Sequence, residues 1–264
     1  MTSSIGARPI ERLSAPAEVG FPGDWYELNS AQHFWFQWRI EAALRQWRDA
    51  RLPLDAPLRL LDVGGGRGVL RDQVEASTSW TVDLVELNQE ALQQAEPGRG
   101  RHLYYDVRDK SSTLVGTYDG AILFDVIEHL EETRPVLEAV RDHLRPGGLL
   151  ILNVPALQAL FSAYDVAAGH FRRYDLTTLA AELPAADWEI VDARYWGLTL
   201  VPLLAVRKVL LRSPDAETIR RGFGPPSGFV HACLRALMRV ETAAVRRPPV
   251  GSSLLLVARR RSSG

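Results

Sequence analysis

The stretch Leu60-Leu61-Asp62-Val63-Gly64-Gly65-Gly66-Arg67-Gly68 constrains this chain more than any other. An apolar run stops at an acid and turns through four glycines. A second apolar run, Leu84-Val85-Glu86-Leu87, also closes on an acid. Strand, glycine loop, helix and a second strand tipped by a carboxylate is how a parallel α/β sheet builds a nucleoside pocket, the last carboxylate accepting hydrogen bonds from ribose hydroxyls. Glycine has no Cβ and tolerates positive φ, so such a loop can pass under a flat ligand. Asp62, Gly64, Gly66, Gly68, Glu86 and Leu87 are therefore the first candidate binding residues. A dinucleotide fingerprint G-x-G-x-x-G starting at Gly64 needs glycine at position 69, where the chain has Val69. The spacing opposes a nicotinamide dinucleotide.

The rest of the chain alternates in the same rhythm. Apolar runs predict strands over 58–63, 80–87, 102–105, 118–124, 149–154, 188–195 and 253–259, with helices over 24–50, 67–76, 89–96 and 132–144. Arg145-Pro146-Gly147-Gly148 reads as a helix stop, and residues 1–20 as loosely ordered. Strands and helices at this pitch imply right-handed βαβ units and a doubly wound, seven-stranded α/β sheet of the Rossmann-like kind. Two apolar helices, about 198–211 and 228–243, interrupt the last pair of strands across Gly222-Phe223-Gly224-Pro225-Pro226. The expected organisation is an N-terminal segment and lid helix over 1–57, then one domain over 58–264 with a helical insertion at about 198–247.

Composition narrows the function. A net charge of −1 and a pI of about 6.6 give no electrostatic footprint for nucleic acid. One cysteine, Cys233, excludes an internal disulfide and a cysteine-rich zinc site, and no metal-ligand cluster is visible. No apolar h-region follows Met1, and the longest apolar stretch, Leu198 to Val206, is far below the ~20 residues that span a bilayer. A soluble, cytoplasmic protein is expected, monomer or homodimer. The two apolar helices read as a hairpin packed on the sheet, with an acceptor pocket or a peripheral membrane face as the alternatives.

Taken together, Asp62-x-Gly64-x-Gly66-x-Gly68 resembles motif I of the class I S-adenosylmethionine-dependent methyltransferases, and the likeness extends over roughly residues 58–155. Phe124-Asp125-Val126-Ile127-Glu128-His129-Leu130 resembles the D-V-(I/L)-E-H-L signature of the subgroup that includes ubiquinone-biosynthesis methyltransferases. Arg145-Pro146-Gly147-Gly148 is similar to the family's turn before the fifth strand. His33-Phe34-Trp35-Phe36-Gln37-Trp38-Arg39 and Asp165-x-x-x-Gly169-His170-Phe171-Arg172-Arg173-Tyr174 resemble segments of a narrower bacterial group.

The resemblance implies S-adenosylmethionine as cofactor. Asp62 would help hold its α-amino group, Asp106 would approach the adenine amino group, and Val107 would pack on the ring. Phe124 and Asp125 would lie at the methionine portion, although Asp125 reads equally as a helix N-cap. Arg39, on the lid helix, is a candidate for the methionine carboxylate. His170 is the candidate general base, because an imidazole titrates close to working pH. Tyr164, Asp165, Arg172, Arg173 and Tyr174 surround it in sequence and are candidates for acceptor binding, or for tying the loop down. The expected reaction is methyl transfer to a small-molecule or lipid-like acceptor, at oxygen or nitrogen. An NAD-dependent oxidoreductase and a non-catalytic cofactor-binding subunit are the contrasting readings.

Overall fold

The computed structural model describes residues 9–16, 33–211, 214, 218 and 228–262. Its strands are β1 (Ile10–Arg12), β2 (Arg59–Val63), β3 (Thr81–Glu86), β4 (His102–Tyr104), β5 (Tyr118–Phe124), β6 (Leu144–Pro155), β7 (Trp188–Trp196) and β8 (Ser253–Arg260). They form one sheet in the order β1-β4-β3-β2-β5-β6-β8-β7. Every pairing is parallel except those of β8, which runs antiparallel to both β6 and β7. The chain leaves β2 towards β3 on one side and returns through β5 on the other. Between the carboxyl ends of β2 and β5 lies the crevice where open α/β sheets place ligands.

Both faces of the sheet are covered, and the sequence pattern says why. Leu60, Ile122, Ile151, Leu255 and Val257 enter one apolar core, where α1 (Phe34–Asp49) contributes Trp38 and Trp47 and α2 (Val69–Ser77) contributes Leu70 and Val74. Their strand neighbours Leu61, Leu123, Leu150, Leu152, Leu254 and Leu256 enter the opposite core, with Leu137 and Val140 of α4 (Arg134–His143). Side chains alternate across a strand, so a strand buried on both faces is apolar throughout. The short α3 (Gln89–Gln93) is capped by the Asn88 side chain, as expected of that residue.

The structure departs from the sequence expectation in four places. The sheet has eight strands rather than seven, because Ile10–Arg12 pairs with His102–Tyr104 inside a segment expected to be loosely ordered. Arg145–Gly148 follows the end of α4 at His143, as a helix stop should, but lies within a strand: β6 begins at Leu144 opposite Tyr118 and resumes opposite Gly120 at Leu149, the intervening residues bulging outward. The helix expected over 24–50 runs from Phe34, and positions 24–32 lie outside the described residues, as does the Gly222–Pro226 linker. Of the two helices expected to pack on the sheet, only the second reaches the core. After α5 (Ala163–Ala167) and α6 (Leu176–Ala181), helix α7 (Val201–Leu210) buries none of its residues, while α8 (Gly228–Ala244) buries Met238 and Glu241 and rests against α1.

Candidate active site

Backbone conformation builds the donor side. Gly66 and Gly68 sit at φ 58° and 80°, a region that side chains with a Cβ rarely adopt, so the loop can turn sharply into α2. Gly65 is the tightest position. A Cβ there would lie 2.5 Å from Asp62 Oδ2 and 2.4 Å from Leu84. Asp62, at the end of β2, is 1% exposed, and its Oδ2 has no hydrogen-bond partner. Burial lifts its carboxyl to about 7, against the attraction of Arg39 and Arg71. A buried, unpartnered acid oxygen beside an open glycine loop fits a cationic ligand group.

Glu86, at the tip of β3, accepts hydrogen bonds from the backbone N–H groups of Gly66 (2.9 Å), Leu87 (2.8 Å) and Asn88 (2.8 Å). It thereby fastens the glycine loop to β3. Leu87 is half-buried beside Leu84 and Tyr104. Asp106 follows β4, where it caps the short turn Val107–Asp109 and takes Arg108 at 2.6 Å. Burial opposes ionisation there, but the Arg108 bonds outweigh it and hold the carboxyl below its ordinary value. Val107 is buried in the core.

Helix α1 and the sheet meet at Asp125. Its φ of 58° is strained for a non-glycine residue and turns the carboxylate off the end of β5. Arg39 of α1 reaches it at 2.6 Å, and Asn153 of β6 donates to its other oxygen at 2.8 Å. Trp196 donates in turn to Asn153, also at 2.8 Å. The Arg39 guanidinium lies about 5 Å from the ring centres of Trp35 (5.0 Å), Phe36 (4.9 Å) and Phe124 (5.3 Å). Arg39, Phe124 and Asp125 thus form one cluster, although 86 positions separate the charged pair.

The segment after β6 is organised by Asp165. It is fully buried in α5 (Ala163–Ala167) and accepts from Ser162 N–H and Oγ on one oxygen. The other oxygen takes Arg173 Nε at 2.7 Å and His170 Nδ1 at 3.0 Å. Burial pushes against ionisation, yet His170 and Arg173 hold the carboxyl down at about 2. An ionised carboxylate only accepts, so Nδ1 of His170 carries a hydrogen and the lone pair of the neutral ring lies on Nε2. Of the two readings of Asp165, acceptor contact or a tie for the loop, these bonds and its burial accord with the tie. Arg173 is buried and also donates to the Ala156 carbonyl, Tyr174 is buried where it bridges to Ala156, and Tyr164 is buried beneath Arg207. Arg172 binds the carbonyls of Leu130 and Glu131. Burial and backbone bonding make these residues a frame around His170.

Two further groups face this frame. The His129 ring meets the His170 ring edge-on with centres 4.7 Å apart, and burial together with the His170 charge pushes His129 down to about 3. Glu128 is fully buried with neither carboxylate oxygen bonded to another residue; burial, then Asp125, raises its carboxyl well above the ordinary value. Ligand atoms of Glu128, His129 and His170 all lie within 4.8 Å of one another, a spacing compatible with a metal ion where the sequence offered no visible cluster. Nothing in the sequence marks Glu128 above its neighbours in Phe124–Leu130, and neither Asn153, inside an apolar strand run, nor Gly65, a variable position of the glycine loop, carries a signal of its own.

Comparison with known proteins follows the same lines. A family profile described as a methyltransferase domain matches residues 25–193. The ubiquinone biosynthesis O-methyltransferase of Thiobacillus denitrificans is 28% identical over 157 residues, 57% of this chain and 64% of that protein. The malonyl-[acyl-carrier protein] O-methyltransferase of Halalkalibacterium halodurans is 28% identical over 128 residues, 45% of each chain. The chain thus spans less than two-thirds of the length of these relatives. Among solved structures, the [4+2]-cyclase SpnF superposes with a TM-score of 0.55 at 18% identity, covering 94% of this chain and 90% of that one. An S-adenosylmethionine-dependent methyltransferase from Mesorhizobium loti gives 0.53 at 17% identity, covering 82% and 98%. At these identities the superpositions speak for the fold alone. The fold, the glycine loop and the family match agree: the chain belongs to the methyltransferase-domain family, with the class I architecture whose cofactor is S-adenosylmethionine.

Proposed function

We propose that this protein transfers the methyl group of S-adenosylmethionine to a small-molecule or lipid-like acceptor, with His170 as the general base. The observation that carries the reading is the Asp165–His170 pair. A buried, ionised aspartate fixes the imidazole tautomer and leaves Nε2 to take a proton from an acceptor hydroxyl or amine. Both curated relatives are named O-methyltransferases, which favours oxygen as the accepting atom. When bound, S-adenosylmethionine supplies a methyl group on a positively charged sulfur.

The residues present fit that cofactor. The unpartnered Asp62 oxygen would take its α-amino group, and Gly64, Gly66 and Gly68 would let the backbone lie close beneath it. Glu86 and Leu87 would border the ribose, Asp106 and Val107 the adenine, and Arg39, Phe124 and Asp125 the methionine end. Alignment of donor and acceptor supplies most of the rate in such a transfer, and a base adds its share where the acceptor must lose a proton. A non-catalytic cofactor-binding subunit has no use for an imidazole held in one tautomer.

Labelled methyl transfer is the test. The protein is incubated with methyl-labelled S-adenosylmethionine and acceptors bearing phenolic, carboxylic or amine groups on apolar bodies, and thermal shifts with S-adenosylmethionine and NAD are compared. The expected result is a melting shift with S-adenosylmethionine alone and label in a hydroxylated acceptor. A shift with NAD alone, or binding with no transfer to any acceptor, contradicts the proposal.

A further inference from the structure

The helical insertion carries apolar surface that neither the sheet nor the candidate site uses. Of the fifteen exposed large hydrophobic side chains among the described residues, eight belong to α7 and α8. Leu210 is 74% exposed, Phe229 80% and Val240 65%. At 100° per residue, Phe229, Leu237 and Val240 lie on the side of α8 away from Met238, which is buried against α1 and the core. His231 also faces inward, its ring meeting that of Phe34. The outward face is therefore apolar by sequence pattern and not by a local accident of packing.

Charge distinguishes what such a face can meet. Arg235 and Arg239 border it on one side of α8. Among the described residues of the two helices the acid is Glu241, and it is spent internally: it is buried and accepts from the N–H groups of Gly197, Leu198 and Thr199. An apolar stripe with a basic border and no exposed acid among its described residues has the composition of a helix that lies in a headgroup layer. No helix among the described residues is long and apolar enough to cross a membrane. Helix α7 is tied to the frame of His170, since Arg207 stacks 3.7 Å over the Tyr164 ring and Lys208 donates to the Ala159 carbonyl at 2.7 Å.

We propose that the outward face of α8 is a docking surface for an anionic lipid bilayer, Phe229, Leu237 and Val240 entering the acyl boundary and Arg235 and Arg239 lying at headgroup level. The surface is independent of the reaction assigned to the site. Co-sedimentation of the full chain with vesicles tests it, using phosphatidylcholine alone and phosphatidylcholine mixed with phosphatidylglycerol. The wild type is expected to bind the anionic vesicles, more weakly the neutral ones, and to release in high salt. Phe229→Glu with Val240→Glu should weaken binding at least about tenfold, by the apolar surface lost. Arg239→Ala should weaken it about fivefold, the share of one basic residue at a charged surface. Each variant should keep the melting shift given by S-adenosylmethionine, which establishes that it is folded. Failure of the wild type to bind anionic vesicles, or equal binding by the double variant, overturns the proposal. So does a wild-type dimer in light scattering that the double variant splits while vesicle binding stays absent, because the face would then join two copies of the chain.

Discussion

Asp62 is ionisable in a place where ionisation is costly. Its carboxyl stands at about 7 because burial disfavours the charged form. A bound ammonium group needs the carboxylate, so binding S-adenosylmethionine below pH 7 must expel the proton. Affinity is therefore expected to rise with pH through about 7 and then level off. Titration calorimetry at pH 6 in buffers of different ionisation enthalpy should report proton release, and Asp62→Asn should bind more weakly and release none. Release unchanged in Asp62→Asn would assign the proton elsewhere. Asp165 is the opposite case. Two cationic or hydrogen-bonding partners hold it ionised, so it orients His170 without itself changing charge in the working range.

At the scale of elements, the glycine loop, β2 and β3 meet as one unit. Glu86 ties loop to strand, and the space beneath Gly65 is filled by Asp62 and Leu84. Gly65→Ala should therefore cost about 1–3 kcal/mol of stability, the range for inserting a methyl group into a packed site. The midpoint of chemical denaturation measures it; an unchanged midpoint would mean that the loop is not packed as described. Strands such as 118–124 and 253–259 were legible because apolar residues on both faces leave a helix no polar side. The three-residue β1 was not, since Ile10-Glu11-Arg12 carries no apolar run and owes its existence to an edge waiting beside His102–Tyr104. The bulge at Arg145–Gly148 was hidden for a related reason: glycines announce a turn, but only the register of β5 against β6 says that the strand continues around it. Sequence likewise named Asp165, Arg173 and Tyr174 as neighbours of His170, yet nothing in a linear run of polar residues says which ones turn inward.

Across the whole molecule, the donor and acceptor halves come from different stretches of chain. The glycine loop and the acids at the ends of β2, β3 and β4 precede residue 107, whereas the frame of His170 is built after β6. They join at Asp125, which Arg39 clamps from α1 and whose carboxyl burial lifts above its ordinary value against the attraction of Arg39 and His170. If catalysis is divided this way, the two functions should separate on mutation. The decisive measurement is kcat for methyl transfer and the S-adenosylmethionine dissociation constant for His170→Ala beside the wild type. A kcat lower by ~10²–10⁴ with an unchanged dissociation constant is the expected result for loss of a general base. Full activity, or loss of cofactor binding in parallel with activity, would contradict it.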